Sequence, residues 1–329
     1  MTSPADGRSM PVHLLTSFTN TNGGSENRAL ALHARLRHRG EALLWSDVAP
    51  ASGFSGQSIR SLHPYRGEFP HGGTLVIIGA HTRIGPWIAS AALHRTIVVA
   101  NLHPLSILKH LEMLDEYGIH SPEIVYASSA LRDEIGLPGR VEASPIDLNH
   151  FAPAGGAAAR PFSVGRLSRD QTYKHHPDDP ALYEMLVESE CGVRIMGGTS
   201  MSGWLHPDPR IELLAEGEQP AREFLSGLDC FFYRTADNYF EPSGRVVFEA
   251  MACGLPVVCG TRGGYAEHLR HGENGFLVDS QEEAYDTIMG LQRDATMRAE
   301  IGRAARLTVE GIYGLLYEEE LAGYYLGDR

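Results

Sequence analysis

The segment YFEPSGRVVFEAMACGLPVVC spans residues 239–259 and holds two carboxylates, Glu241 and Glu249, eight positions apart. Between them, Pro242-Ser243-Gly244 interrupts the chain, and Arg245-Val246-Val247 opens an apolar run ending in good helix formers. A helix starting at Ser243 or Gly244 turns its unpaired N–H groups and the positive end of its dipole outward, which suits an anion such as a diphosphate. Gly244 lets backbone approach a ligand closely. Glu241 then sits in the loop before the helix, and Glu249 about a turn and a half inside it. Carboxylates do not attract phosphate but accept hydrogen bonds from hydroxyls. The stretch therefore offers donors to phosphates around Ser243, Gly244, Arg245 and Val246, and acceptors to sugar hydroxyls. Taken alone, such glutamates are a solvated loop residue and an ion-paired helix residue. Their surroundings decide.

Strands alternating with amphipathic segments must position these groups. In the first half, VHLLTSF (12–18), EALLWS (41–46), TLVIIGA (74–80), TIVVANL (96–102) and EIVYAS (123–128) read as buried strands. ENRALALHARLRHRG, LSILKHLEML and SSALRDEIGL read as helices, and residues 48–73 as loop. IDLNHFAPAGGAAARP (146–161) reads as an interdomain linker. The alternation restarts with PFSVGRL, GVRIMGG, DCFFYR, LPVVCG and GFLVD as strands. Helices are expected over ALYEMLVES, AREFLSGL, GRVVFEAMACG, QEEAYDTIMGLQRDA and the tail VEGIYGLLYEEELAGYYL. The pattern predicts an α/β protein of two Rossmann-like halves with a ligand cleft between them.

Composition narrows the function. The 329 residues suffice for two domains, and 43% hydrophobic residues supply the cores. Net charge is −13, almost all of it after residue 150, because residues 1–150 hold 12 Lys+Arg against 13 Asp+Glu. That balance argues against nucleic-acid binding. No apolar stretch approaches the roughly 20 residues of a membrane span, and MTSPADGRSM lacks an export signal. The four cysteines lie in apolar contexts without a CxxC pair, as expected of buried thiols in a cytoplasmic protein. The basic run Arg28, Arg35, Arg37 and Arg39 reads as a solvated helix face, with a basic face for an anionic acceptor or a membrane surface as its alternative. A nicotinamide site is not supported, since GGTSMSG (197–203) has the wrong spacing, and no P-loop is present. HHPDDP (175–180) is Pro-broken and reads as loop, not as the rigid frame of a metal site. The chain has two lysines, Lys109 and Lys174, among 28 basic residues, which draws attention to each.

The stretch EPSGRVVFEAMACGLPVVCGTRGGYAEHLRHGENGFLVD resembles the signature of GT-B retaining glycosyltransferases, glycosyltransferase family 4 in particular. That family carries Glu-x7-Glu, then Glu-Ala-x-Ala-x-Gly-x-Pro-Val-Val, a Gly-Gly pair and a Gly-x-x-Gly-x-Leu-Val turn. VGRLSRDQTYKHHP (164–177) is similar to the family's Val-Gly-Arg-Leu strand and following lysine, although Gln171-Thr172 stands where Lys-Gly is common. SPIDLNHFAP resembles the hinge entry, TNTNGGSENRAL the Gly-Gly loop after the first strand, and NLHP the strand-end histidine. Ser243 and Arg245 replace the commoner Phe and Leu.

The resemblance implies residues 1–150 as the acceptor-side domain and 151–310 as the donor domain, with 311–329 a helix crossing back. It implies metal-independent, retaining transfer from a nucleotide-diphosphate-sugar, with no cofactor. The acceptor would be a carbohydrate, a lipid-linked molecule or a small molecule. Arg166 and Lys174 would clamp the diphosphate, Glu249 the ribose and Glu241 the transferred sugar. Gly23 and Gly24 would bring N–H groups to phosphate and acceptor, and His103 would contact the donor sugar or help position the acceptor. A catalytically silent nucleotide-sugar-binding subunit and a sugar-nucleotide epimerase stay open on the sequence alone.

Overall fold

The computed structural model describes residues 10–101, 104–154 and 160–327. Two compact units form: residues 1–145 together with 315–329, and residues 146–314.

Unit 1 is built on a seven-stranded sheet. Its strands are β1 (Val12–Thr16), β2 (Ala42–Ser46), β3 (Ile59–Ser61), β4 (Thr74–Ile78), β5 (Arg95–Ala100), β6 (Glu123–Tyr126) and β7 (Arg140–Val141), in the order β3-β2-β1-β4-β5-β6-β7. All pairings are parallel. β1 and β4 are buried at every position, as parallel strands covered on both faces require. The two-residue period sorts their side chains. Val12, Leu14, Val76, Ile78, Ile97 and Val99 build one core, against Leu32 and Leu36 of α1 (Gly24–Leu36). Leu15, Leu75, Ile77 and Val98 build the other, with Trp45, Trp87 and Leu114 of α2 (Pro104–Glu116). α3 (Ser129–Ile135) is capped by the Ser128 hydroxyl and stopped by Gly136 in the left-handed region.

Unit 2 repeats the plan with six strands. These are β8 (Ser163–Leu167), β9 (Gly192–Met196), β10 (Ile211–Leu214), β11 (Cys230–Tyr233), β12 (Val257–Gly260) and β13 (Phe276–Val278), in the order β10-β9-β8-β11-β12-β13. They are again all parallel. The helices are α4 (Asp179–Glu188), α5 (Ala221–Ser226), α6 (Arg245–Ala252), α7 (Gln281–Arg293) and α8 (Ala295–Ile312). α9 (Leu315–Leu326) belongs to unit 1, where Leu321, Ala322 and Tyr325 enter the core beside α1. The Tyr325 hydroxyl and the Arg28 guanidinium both donate to Glu142 Oε1, at 3.1 and 2.8 Å. Arg35 pairs with Glu318 at 2.7 Å.

Four expectations change. Residues 48–73 are not all loop, because β3 is a short parallel edge strand on β2. Half of the basic run is not a solvated face: Arg28 is buried and Arg35 is tied to α9, while Arg37 and Arg39 are exposed. Residues 146–154 are packed chain and not free linker, since Ile146 and Phe151 are buried and Arg306 donates to the Phe151 carbonyl at 2.7 Å. The end of HHPDDP opens α4 at Asp179, with Pro180 in its first turn, where proline's missing N–H costs nothing. All four cysteines are unpaired and buried.

Candidate active site

In an open parallel sheet, ligands bind beyond the carboxyl ends of the strands, where the strand order reverses. In unit 2 that point lies between β8 and β11, which are neighbours. The loop after β8 carries Lys174, and the loop after β11 carries Glu241. The two meet: Lys174 Nζ lies 2.6 Å from Glu241 Oε2. Both side chains are about nine-tenths buried.

Their charges are mutually dependent. Burial disfavours the Lys174 ammonium, but Glu241 and then Tyr239 outweigh it and hold the lysine above its ordinary range. Burial likewise pushes Glu241 upward, but the Lys174 charge and hydrogen bonds from Lys174, Tyr233 and the Gly244 N–H keep the carboxyl below its ordinary 4.5. The Tyr233 hydroxyl donates to Glu241 Oε2 at 2.7 Å. Lys174 also donates to the Tyr239 hydroxyl at 3.1 Å.

Arg166 corrects the two-cation clamp. It is fully buried, with its guanidinium 4.8 Å over the Tyr233 ring. It donates to the Arg234 and Lys174 carbonyls and faces Asp179 at 3.5 Å. An interior position on β8 and the buried carboxylate of Asp179 draw it inward. Its donors are turned to the Lys174 and Arg234 backbone and not to the surface. His175 extends this support by bonding the Gly197 carbonyl through Nε2 at 2.9 Å. Burial, followed by the Arg166 charge, lowers its pKa to about 3, so the ring is neutral. Its neighbour His176 faces Asp237 through Nε2 at 3.4 Å.

The helix start is where the sequence places it. Gly244 caps α6 with φ 66°, in the left-handed region, which glycine adopts without steric cost. A β-carbon there would also lie 2.2 Å from the Tyr265 ring. The Gly263-Gly264 pair closes on the same loop. Gly263 bridges Glu241, and the Gly264 N–H donates to the Glu241 carbonyl at 2.8 Å. Thus one strand of signature residues fixes the backbone of the other. Val246 presents a first-turn N–H, which no helical carbonyl can accept. Ser243 Oγ is buried without a partner among the described residues. Glu249 is not a bare ligand-facing carboxylate: its Oε1 accepts from Arg245 Nε at 2.7 Å, one helical turn away.

In unit 1, Gly23 caps α1 and Gly24 is its first residue. A β-carbon on Gly23 would strike the Glu26 carboxylate at 2.0 Å, whereas one on Gly24 would meet nothing within 4 Å. Gly24 therefore faces open space. The Asn101 amide donates to Ser25 Oγ at 3.1 Å, which ties Asn101 to the start of α1. His103 itself lies outside the described residues. Away from this end, a hollow of about 670 Å³ is lined by His13, Trp45, Arg60 and Glu68.

Sequence reasoning missed Tyr233, Tyr239 and Asp179. Aromatic residues in DCFFYR and DNYFE carry no spacing that separates core from site.

Comparisons with known proteins bear on the fold and the family. Residues 211–308 match the family described as Glycosyl transferases group 1. D-inositol 3-phosphate glycosyltransferase of Salinispora arenicola is 32% identical over 246 residues, covering 60% of this chain and 52% of the relative. The enzyme of that name from Rhodococcus jostii is 37% identical over 210 residues, covering 56% and 44%. The chain thus spans about half the length of the curated relatives it matches. Among solved structures, Anabaena HepE in complex with UDP-glucose superposes with a TM-score of 0.77 at 15% identity, covering 97% of this chain and all of that one. Sucrose-phosphate synthase of Thermosynechococcus elongatus gives 0.72 at 14% identity, covering 96% and 98%. The chain has the GT-B fold, two parallel-sheet α/β domains that match these solved structures, and residues 211–308 match the group 1 family.

Proposed function

We propose that the protein is a retaining, metal-independent glycosyltransferase of family 4 that moves a sugar from a nucleotide-diphosphate-sugar to an acceptor hydroxyl. The observation that carries this reading is the Lys174–Glu241 pair at the start of α6, held at 2.6 Å on the strand-order reversal of unit 2. A diphosphate seated there meets the Lys174 ammonium and the N–H groups of the α6 start. Departure of the diphosphate from an oxocarbenium-like sugar builds negative charge on its oxygens. A fixed cation and oriented N–H groups stabilise that charge without reorganising. Lys174 thus supplies the positive charge that a metal supplies elsewhere. A donor phosphate oxygen takes the proton of the acceptor hydroxyl, so no protein nucleophile is needed. Glu241 keeps Lys174 in place and turns its remaining acceptor capacity toward the sugar, while Glu249 holds the ribose. Arg166 acts through Lys174, as a positioning residue.

Two kinds of relative guide the choice of substrates. HepE is named with UDP-glucose, and the curated relatives are named for D-inositol 3-phosphate. A thermal-shift screen with UDP-, GDP- and ADP-sugars should raise the melting temperature with one base class, because a ligand that binds the native state stabilises it by mass action. Transfer to D-inositol 3-phosphate and to simple sugars, with and without EDTA, then tests acceptor and metal independence. No stabilisation by any nucleotide sugar would sink the reading. Binding without turnover would identify a silent subunit, and donor isomerisation without an acceptor an epimerase.

A further inference from the structure

We propose that Tyr239 is a further ligand-binding residue of this site: its hydroxyl donates to an oxygen of the leaving diphosphate beside Lys174. The inference rests on the glycosyltransferase reading and deepens it.

The donor and acceptor count points to this residue. The Tyr239 oxygen accepts from Lys174 Nζ at 3.1 Å. Its own hydrogen has no acceptor among the described residues. Lys174 has three N–H donors, of which one goes to Tyr239 and one to Glu241. The third has no acceptor among the described residues either. Two unspent donors therefore stand 3.1 Å apart on a largely buried ion pair. An anionic oxygen is the ligand that satisfies both, and a phosphoryl group presents several such oxygens. Burial, reinforced by the Glu241 charge, raises the phenol's pKa, so Tyr239 keeps its proton and stays a donor.

The residue is also held in place. Its ring packs on Tyr173 with centroids 4.8 Å apart, and the Lys174 ammonium lies 4.5 Å from its centroid. The loop carrying it closes on itself, with the Tyr239 N–H on the Ala236 carbonyl at 2.9 Å and Thr235 Oγ1 on the Tyr239 carbonyl at 3.2 Å. The Ala236 N–H then reaches the Tyr173 carbonyl, pinning this loop to that of Lys174. A donor so anchored needs no reordering to meet charge as it develops.

Tyr239→Phe tests the proposal, because it keeps the ring and both its contacts and removes only the hydroxyl. Binding of UDP, GDP and ADP, and of the matching monophosphates, is measured by calorimetry on wild type and variant. For the base that wild type binds, the variant should lose roughly ten- to a hundredfold in diphosphate affinity. Its monophosphate affinity and melting temperature should hold. Equal loss for both nucleotides marks a structural role and overturns the proposal, as does no loss for either. If wild type binds no nucleoside diphosphate, the glycosyltransferase reading falls first and takes this inference with it. If wild type binds and the variant is unchanged, only the inference falls.

Discussion

Lys174→Ala removes the cation that the proposed mechanism sets at the leaving group and leaves the buried Glu241 without its ion-pair partner, so turnover should fall about 10²- to 10³-fold, with some loss of stability. Steady-state transfer assays check this, and near-wild-type activity would remove Lys174 from the proposed chemistry. Arg166→Ala acts from behind that pair. It strips a buried guanidinium from two carbonyls and from Asp179, which keeps Arg234 at 2.8 Å, so a stability loss of about 1–3 kcal/mol should accompany the lost activity. The ionisable groups also set how stability follows pH. Glu241 is depressed, so its contribution is complete above its ordinary 4.5 and is lost as pH falls through the lower folded value. Lys174 is raised, so its contribution is present below 10.5 and lost as pH rises through the higher folded value. His175 stays neutral in the fold down to about 3, while the unfolded imidazole takes a proton below 6.5. Burial depresses His13, His33, His110 and His268 in the same sense. Urea unfolding should therefore show stability declining from pH 6.5 downward, with His175 alone contributing up to about 1.4 kcal/mol per pH unit. His175→Gln should flatten part of that decline.

At the scale of elements, the loop before α6 is the most constrained piece. Gly244→Ala meets both the left-handed φ and the Tyr265 ring, and should cost about 3 kcal/mol or force the loop aside. Denaturant melts and nucleotide binding read the two outcomes separately. This loop was legible because a turn, a helix start and two carboxylates follow one another in sequence. The strong strands were legible for the same local reason. β10 and β7 were not, since IELL and RV are short edge segments with few buried residues. α8 escaped because its buried face uses Ile301, Gly302, Ala305 and Val309, small residues with a weak apolar rhythm. The tail expected as one helix breaks at Tyr313-Gly314 into α8 and α9. Tyr239 and the inward turn of Arg166 depend on which loops the sheet order brings together, and no local pattern records that.

At the scale of the molecule, unit 1 is assembled from two distant stretches of chain. α9 gives Leu321, Ala322 and Tyr325 to its core, the Tyr325 hydroxyl to a hydrogen bond on Glu142 and Glu318 to an ion pair with Arg35. Removing residues 315–329 should cost unit 1 more than the about 2–5 kcal/mol of one buried-side-chain deletion and leave unit 2 nearly intact. Hydrogen exchange should then show β1 and β4 losing protection while β8 and β11 keep theirs.

The same split sets an order of events during synthesis. Unit 2 is one uninterrupted stretch, residues 146–314, and is synthesised before α9. The sheet of unit 1 is synthesised earlier still, yet it lacks the apolar cover of Leu315–Leu326 until all of unit 2 has been made. The half of the molecule made earliest is therefore finished last, and for that interval it is the half most in need of a chaperone.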